Sequence, residues 1–288
     1  MEFEQIKYFL KENINNELNT YFGIKNEKLV NQVAEEWFNE NYNFDGRWAI
    51  IQEKGRSARK ILDLAAGCGT FLLFGLRSGY DVWGIEPEPW KLEFFRKKVI
   101  CSEYPSEFLN HMLEGKGESL PFEDNSFDLI TSYQTLEHVE SVSECLKEMT
   151  RVLRPGGFLY LKCPDYDSFF EPHYKLPFMP VMNKNIAEKY IKFMGRPTLG
   201  LKTLNWTTEK NIINDLNHCL HSLEIERMSQ HYASIRKNKI RSILPDLLKI
   251  SFLINNINST YEILKGFKKI VRIFSEESEV DLWITKLS

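Results

Sequence analysis

A doubly wound, mostly parallel α/β sheet is the architecture that this sequence predicts. Short apolar runs alternate with helical patterns from Lys60 onward, as parallel strands joined by crossover helices require. The first run ends in an acid and a small-residue turn, "DLAAGCGT" (63–70), that leads into a helix. The second run ends in another acid, Glu86.

Residues 1–58 read as a helical N-terminal cap, with Leu29, Val33 and Trp37 at helical spacing in "LVNQVAEEWF". "EKGRSARK" (53–60) is a polar bridge into the first strand. Strands are expected at 60–64, 81–86, 109–113, 127–133, 157–163, about 222–231 and 280–287. Helices are expected near 69–78, 88–102, 140–153 and 207–220. "RPGG" (154–157) is a helix stop, because Pro155 resists helix continuation and the glycines turn the chain. Residues 59–288 then form the main domain, interrupted by inserts at 164–206 and 232–279. Inserts of that length in a compact domain usually carry function.

Composition narrows the class. A hydrophobic content of 43% supports a buried core, and a net charge of −3 argues against a general nucleic-acid binder. The five cysteines contain no CxxC pair, which fits reduced thiols in a cytoplasmic protein. The first residues lack the apolar region of a signal peptide, and no run reaches the length of a membrane span.

The turn after Asp63 must let a ligand approach the backbone. Gly67 and Gly69 give that access, and Ala65 is nearly as small. Glu86 is placed to accept hydrogen bonds from ribose hydroxyls, so an adenosine-containing cofactor fits. A nicotinamide-dependent oxidoreductase is disfavoured, since Phe71 and Leu72 stand where a later glycine of its fingerprint would fall.

Five pieces stand in order: "LDLAAGCGT" (62–70), "GIEP" (84–87), "GESLPFEDNSFDLI" (117–130), "LEHV" (136–139) and "RVLRPGG" (151–157). On these the sequence resembles class I S-adenosylmethionine-dependent methyltransferases, in the broad group that includes the ubiquinone-biosynthesis enzymes. The resemblance covers roughly residues 58–164. It implies a Rossmann-like seven-stranded sheet with an antiparallel last strand, and S-adenosylmethionine as cofactor. It also implies that the turn from Asp63 through Ala65 and Gly67 to Gly69 wraps the methionine portion and ribose. Glu86 would hold the ribose, Pro87, Gly117 and Glu118 would flank the adenine, and Tyr133 and Gln134 would lie near the sulfonium. Two positions depart from the pattern. Ala65 replaces the first glycine, and Lys116 stands where many relatives have an acid.

Methyl transfer to a hydroxyl or amine releases a proton, and His138 is the candidate base because histidine titrates near neutrality. The alternative is a helix-start histidine that packs or caps beside the cofactor. His173 and Tyr174, in "FEPHYK", are second candidates, against a plain surface loop. The resemblance also brings in relatives that bind a divalent metal through an E-x-x-E-H arrangement, but here Gln134 takes the first acidic place. Glu137 and His138 alone make no octahedral oxygen site, so no metal is expected. Phe178, Met179, Met182, Tyr190 and Phe193 are expected to pack the first insert, which would form a lid or acceptor wall.

The leading expectation is O-methylation of a small-molecule, sugar or carrier-linked acceptor. A module that binds the cofactor without turnover is the competing reading. Nucleic acid is not an expected partner, since "SYQT" (132–135) stands where a nucleic-acid methyltransferase carries a DPPY-like motif. The basic amphipathic stretch 240–274 offers peripheral membrane contact, against a helical cap or a dimer contact. The oligomeric state is left open.

Overall fold

The computed structural model describes residues 3–41, 46–219, 222–228 and 278–287. The basic amphipathic stretch 240–274 lies outside the described residues, as does most of the second insert.

Seven strands form one sheet: β1 (Lys60–Leu64), β2 (Asp81–Glu86), β3 (Met112–Glu114), β4 (Phe127–Tyr133), β5 (Leu153–Pro164), β8 (Leu223–Arg227) and β9 (Glu279–Lys286). Two short strands, β6 (Phe170–Glu171) and β7 (Leu176–Pro177), pair separately within the insert. The sheet order is β3-β2-β1-β4-β5-β9-β8. Pairing is parallel from β3 to β5, and β9 runs antiparallel to both β5 and β8. This is the expected Rossmann-like sheet, and its order reverses between β1 and β4, where a cleft opens at the strand ends.

Both faces of the sheet are covered, because successive side chains point to opposite sides. Leu62, Ile130, Leu159, Leu161 and Leu282 pack with α6 (Val142–Val152) and α9 (Glu209–Asn217) on one face. Ile61, Leu129, Tyr160 and Trp283 pack on the other with α3 (Arg47–Lys54), α4 (Thr70–Arg77) and α5 (Pro89–Cys101). Each such side chain contributes about 1.5–3 kcal/mol when fully buried.

Two helices precede the sheet, α1 (Phe3–Phe22) and α2 (Glu27–Phe38). The buried stripe of α1, Ile6, Leu10 and Ile14, recurs every four residues and packs with Phe94 of α5 and Cys68 of the turn after β1. The buried centre of α2 is Val30 and Ala34, one position along from Val33, and Leu29, Val33 and Trp37 are half-buried. The N-terminal helices thus pack against the turn after β1.

Three expectations shift. A 3-10 turn, Ser106–His111, occupies the start of the third expected strand and leaves only three residues for β3. The "RPGG" run does end α6, at Val152, but it lies inside β5 as a kink, with Gly156 at φ +73° and an irregular register opposite Phe127–Leu129. In the insert, Phe178, Met182 and Tyr190 join a small core with Tyr174 and with α7 (Lys184–Phe193) and α8 (Leu199–Lys202). Met179 and Phe193 are instead exposed, because they sit on the outer side of that layer.

Candidate active site

A cavity of about 630 Å³ opens at the carboxyl ends of β1, β2 and β4. It is lined by Asp63, Ala65, Gly67, Glu86, Pro87, Gly117, Glu118, Tyr133, Gln134 and His138, so the motifs scattered through the sequence converge on one hollow. Gly69 does not line it. It caps α4 at φ +76°, and a Cβ there would meet the Phe95 ring at 2.4 Å.

The floor is the turn between β1 and α4. Ala65 and Gly67 both take left-handed backbone, at φ +53° and +57°. For alanine that conformation costs about 1–2 kcal/mol. A Cβ on Gly67 would find no atom within 4 Å, since the residue faces open cavity. A bare main chain with room above it suits a ligand that lies against the backbone.

Glu86 ends β2 and is buried. Its Oε2 accepts the Gly67 N–H at 2.8 Å and its Oε1 accepts the Glu88 N–H at 3.0 Å. Burial raises its carboxyl above the ordinary range, while Lys91, 3.8 Å away, and the two N–H groups pull it back. Asp63 ends inside β1 and is ion-paired with Arg47 of α3. Burial drives the Asp63 carboxyl up to about 6 against the pull of Arg47. Arg47 Nε also donates to Thr131 Oγ1 at 2.9 Å, and its guanidinium lies 3.9 Å from the Phe71 ring centroid.

Glu118 is committed to protein. Its carboxylate accepts the N–H groups of Glu140 (2.6 Å) and Ser141 (3.1 Å) at the start of α6. Gly117 is packed so closely that a Cβ would stand 2.5 Å from Cys145 Sγ. Lys116 pairs with Glu140 at the surface, away from the cavity floor.

The opposite edge is made after β4. Gln134, at φ +54°, turns the chain, and its side chain donates to Glu279 of β9 at 3.0 Å. The next turn carries Glu137 and His138. Asn205 clamps it, its N–H donating to the Glu137 carbonyl at 2.6 Å and its side-chain amide to the Val139 carbonyl at 2.5 Å. His138 is 40% exposed, on the cavity side, and the protein behind it lowers its pKa to about 3, with His173 adding repulsion. Its Nε2 lies 3.2 Å from Nε2 of His173, which the insert brings to the same edge. His173 Nδ1 pairs with Glu171 Oε1 at 2.8 Å. Burial lowers the His173 pKa, but the Glu171 hydrogen bond and charge outweigh it and leave it raised. Tyr174 is not at the edge: it is fully buried, donating to the Pro197 carbonyl and accepting the Leu201 N–H.

Residues 62–161, about a third of the chain, match the family model described as a methyltransferase domain. This stretch is a methyltransferase domain. Two curated relatives agree with the methyltransferase match. A demethylmenaquinone methyltransferase of Chlorobaculum tepidum is 33% identical over 126 residues, covering 41% of this chain and 48% of the relative. The ubiquinone/menaquinone biosynthesis C-methyltransferase UbiE of Geotalea daltonii is 36% identical over 114 residues, covering 38% and 48%. The chain thus spans about half the length of these curated relatives. Among solved structures, a putative sarcosine dimethylglycine methyltransferase of Galdieria sulphuraria superposes with a TM-score of 0.53 at 13% identity, over 96% of this chain and 98% of that one. That likeness concerns the fold.

Several residues of this candidate site escaped the sequence reading. Arg47 looked like one more charge in a polar N-terminal region, although its neighbours Trp48, Ile50 and Ile51 are apolar. Glu171 gave no signal, since its partners Tyr166 and His173 are brought to it by the insert's own turns. Tyr21 and Phe22 at the end of α1 also line the cavity, and Phe22 stacks on His173 with centroids 5.5 Å apart. Among the described residues, no helix is long and apolar enough to cross a membrane.

Proposed function

We propose that this protein transfers the methyl group of S-adenosylmethionine to an oxygen of a small-molecule, sugar or carrier-linked acceptor. The observation that carries the reading is the cavity itself, in which two buried carboxylates and an open left-handed turn converge at the strand ends. Its volume lies in the range of about 300–1,000 Å³ typical of small-ligand sites.

The residues fit the cofactor. Each oxygen of Glu86 accepts one main-chain N–H and keeps lone pairs for ribose hydroxyls. Gly67 presents bare backbone to the methionine portion, and Asp63 lies beneath the same turn. Pro87 and Gly117 supply the walls for the adenine. Glu118 shapes that wall by holding the start of α6. Tyr133 and Gln134 lie on the side toward the acceptor. Bound S-adenosylmethionine supplies an activated methyl group, so the chain's own task is alignment and exclusion of water, worth about 7–11 kcal/mol of barrier.

Tyr21 and Phe22 of the N-terminal helices and His173 and Thr203 of the insert close the acceptor side. An acceptor hydroxyl in line with the methyl group would lie against the edge formed by His138 and His173 and would lose its proton to His173, whose basicity Glu171 raises, rather than to His138, the base expected from the sequence, whose lowered pKa makes it a poor acceptor. One of the relatives named above carries the name of a C-methyltransferase. Oxygen is favoured here because this edge offers a means of handling a hydroxyl proton. Calorimetry with S-adenosylmethionine and S-adenosylhomocysteine tests the cofactor, and tritiated-methyl transfer into cell extract tests turnover. Binding without transfer would identify a non-catalytic module, and absence of binding would remove the reading altogether.

A further inference from the structure

The edge beside His138 holds an arrangement that packing does not explain. Glu137 is completely buried, and neither carboxylate oxygen has a hydrogen-bond partner. A buried carboxylate left in that state is costly, and native proteins rarely keep one without a use for it. One of its oxygens lies 3.9 Å from His138 Nε2. The Nε2 atoms of His138 and His173 face each other at 3.2 Å. Glu171 holds the far nitrogen of His173 at 2.8 Å, and is itself held by Tyr166 Oη at 3.0 Å and the Tyr174 N–H at 2.5 Å. With Nδ1 held by Glu171, His173 has Nε2 left to face His138.

We propose that Glu137, His138 and His173 bind a divalent transition-metal ion at the acceptor edge of the cavity. Their donor atoms all lie within 4.8 Å of one another. Ligands about 2.1 Å from a tetrahedral ion stand ~3.4 Å apart, so the cluster needs only small side-chain movements to close on one. Two imidazoles and a carboxylate suit zinc, iron, cobalt or nickel, not magnesium or calcium. The Glu171–His173 pair has the form of a carboxylate that orients a metal-ligating histidine. Because His138 and His173 both line the cavity, a further coordination position opens toward the acceptor. An acceptor oxygen bound there would be oriented and acidified by the ion.

Sequence alone offered two ligands. The third comes from the insert, thirty-five positions further on. This inference rests on the methyl-transfer reading only for the identity of what binds at the open position.

The test is uptake of Zn²⁺ and Co²⁺ by the metal-stripped full chain, followed by calorimetry and by the visible spectrum of the cobalt form. The wild type is expected to take one equivalent. Glu137→Gln, His138→Ala and His173→Ala should each weaken binding by at least about tenfold, and Glu171→Gln by about 10–100-fold. The cobalt spectrum should lack thiolate charge-transfer bands. Thermal melts of the metal-free variants identify any that fail to fold, and Glu137→Gln, which keeps the side-chain shape, serves as the conservative variant. No uptake, equal uptake by all variants, or a thiolate spectrum would overturn the proposal. S-adenosylmethionine affinity of the metal-free chain is measured in parallel. Intact cofactor binding without metal uptake would sink the metal site and leave the methyltransferase reading standing.

Discussion

Glu86 Oε2 accepts the Gly67 N–H at 2.8 Å, so the acid at the tip of β2 grips the loop that follows β1. The two elements proposed to hold the cofactor are thus tied together. Glu86→Ala should therefore lower S-adenosylmethionine affinity by one to two decades, the equivalent of about 1.5–3 kcal/mol for a charge-assisted hydrogen bond. Calorimetry decides it, and wild-type affinity in the variant would show that the ribose lies elsewhere.

Gly67 and Gly69 should respond to alanine in opposite ways. At Gly67 the new Cβ projects into open cavity, and neighbouring Ala65 already tolerates left-handed backbone. Gly67→Ala should cost about 1 kcal/mol of stability and most of the cofactor affinity. At Gly69 the Cβ would overlap Phe95 at 2.4 Å as well as adopt φ +76°. Gly69→Ala should cost about 2–4 kcal/mol of stability. Urea melts beside calorimetry on both variants would reveal whether the split exists.

Asp63 should make stability depend on pH. Its carboxyl is raised from 3.8 to about 6, chiefly by burial. A raised folded-state value means that the folded chain holds the proton more tightly than the unfolded chain. The associated stability is complete below pH 3.8 and is lost as pH rises through about 6. The gap corresponds to about 3 kcal/mol. The stability difference between wild type and Asp63→Asn, followed by urea unfolding from about pH 4 to pH 7, should shift against the wild type. A flat difference would contradict the assignment.

Arg47→Ala removes the partner of a buried carboxylate and should destabilise the fold by about 3–5 kcal/mol near neutral pH. Below pH 6, where Asp63 can take up a proton, the loss should shrink. Equal losses at both pH values would show that Arg47 acts through its packing on Phe71 alone.

The strands that are buried on both faces were legible in the sequence. β1, β2 and β4 are short, mainly apolar stretches set between polar or glycine-containing turns, and the structure has them at 60–64, 81–86 and 127–133, as expected. β3 was expected at 109–113 and lies at 112–114, because its three residues are too few to show a period and the segment before it, SEFLNH, forms a 3-10 turn. The cofactor turn was legible because close backbone approach needs small residues in consecutive order. The pairing of Arg47 with Asp63, 16 positions apart, and of His173 with His138, 35 positions apart, was not. Such contacts depend on how α3 and the insert pack, which local pattern does not encode.

The sheet order gives biosynthesis a constraint. β8 touches the rest of the sheet only through β9, which comes from residues 279–286. While the ribosome still holds those residues in its tunnel, the strand that pairs with β8 is missing and that flank of the nascent sheet stays open. Glu279, at the head of the same strand, reaches Gln134 and Lys162 beside the cavity. That side of the cavity is therefore completed only when a strand 145 positions beyond Gln134 has docked, which makes its assembly a late, long-range event.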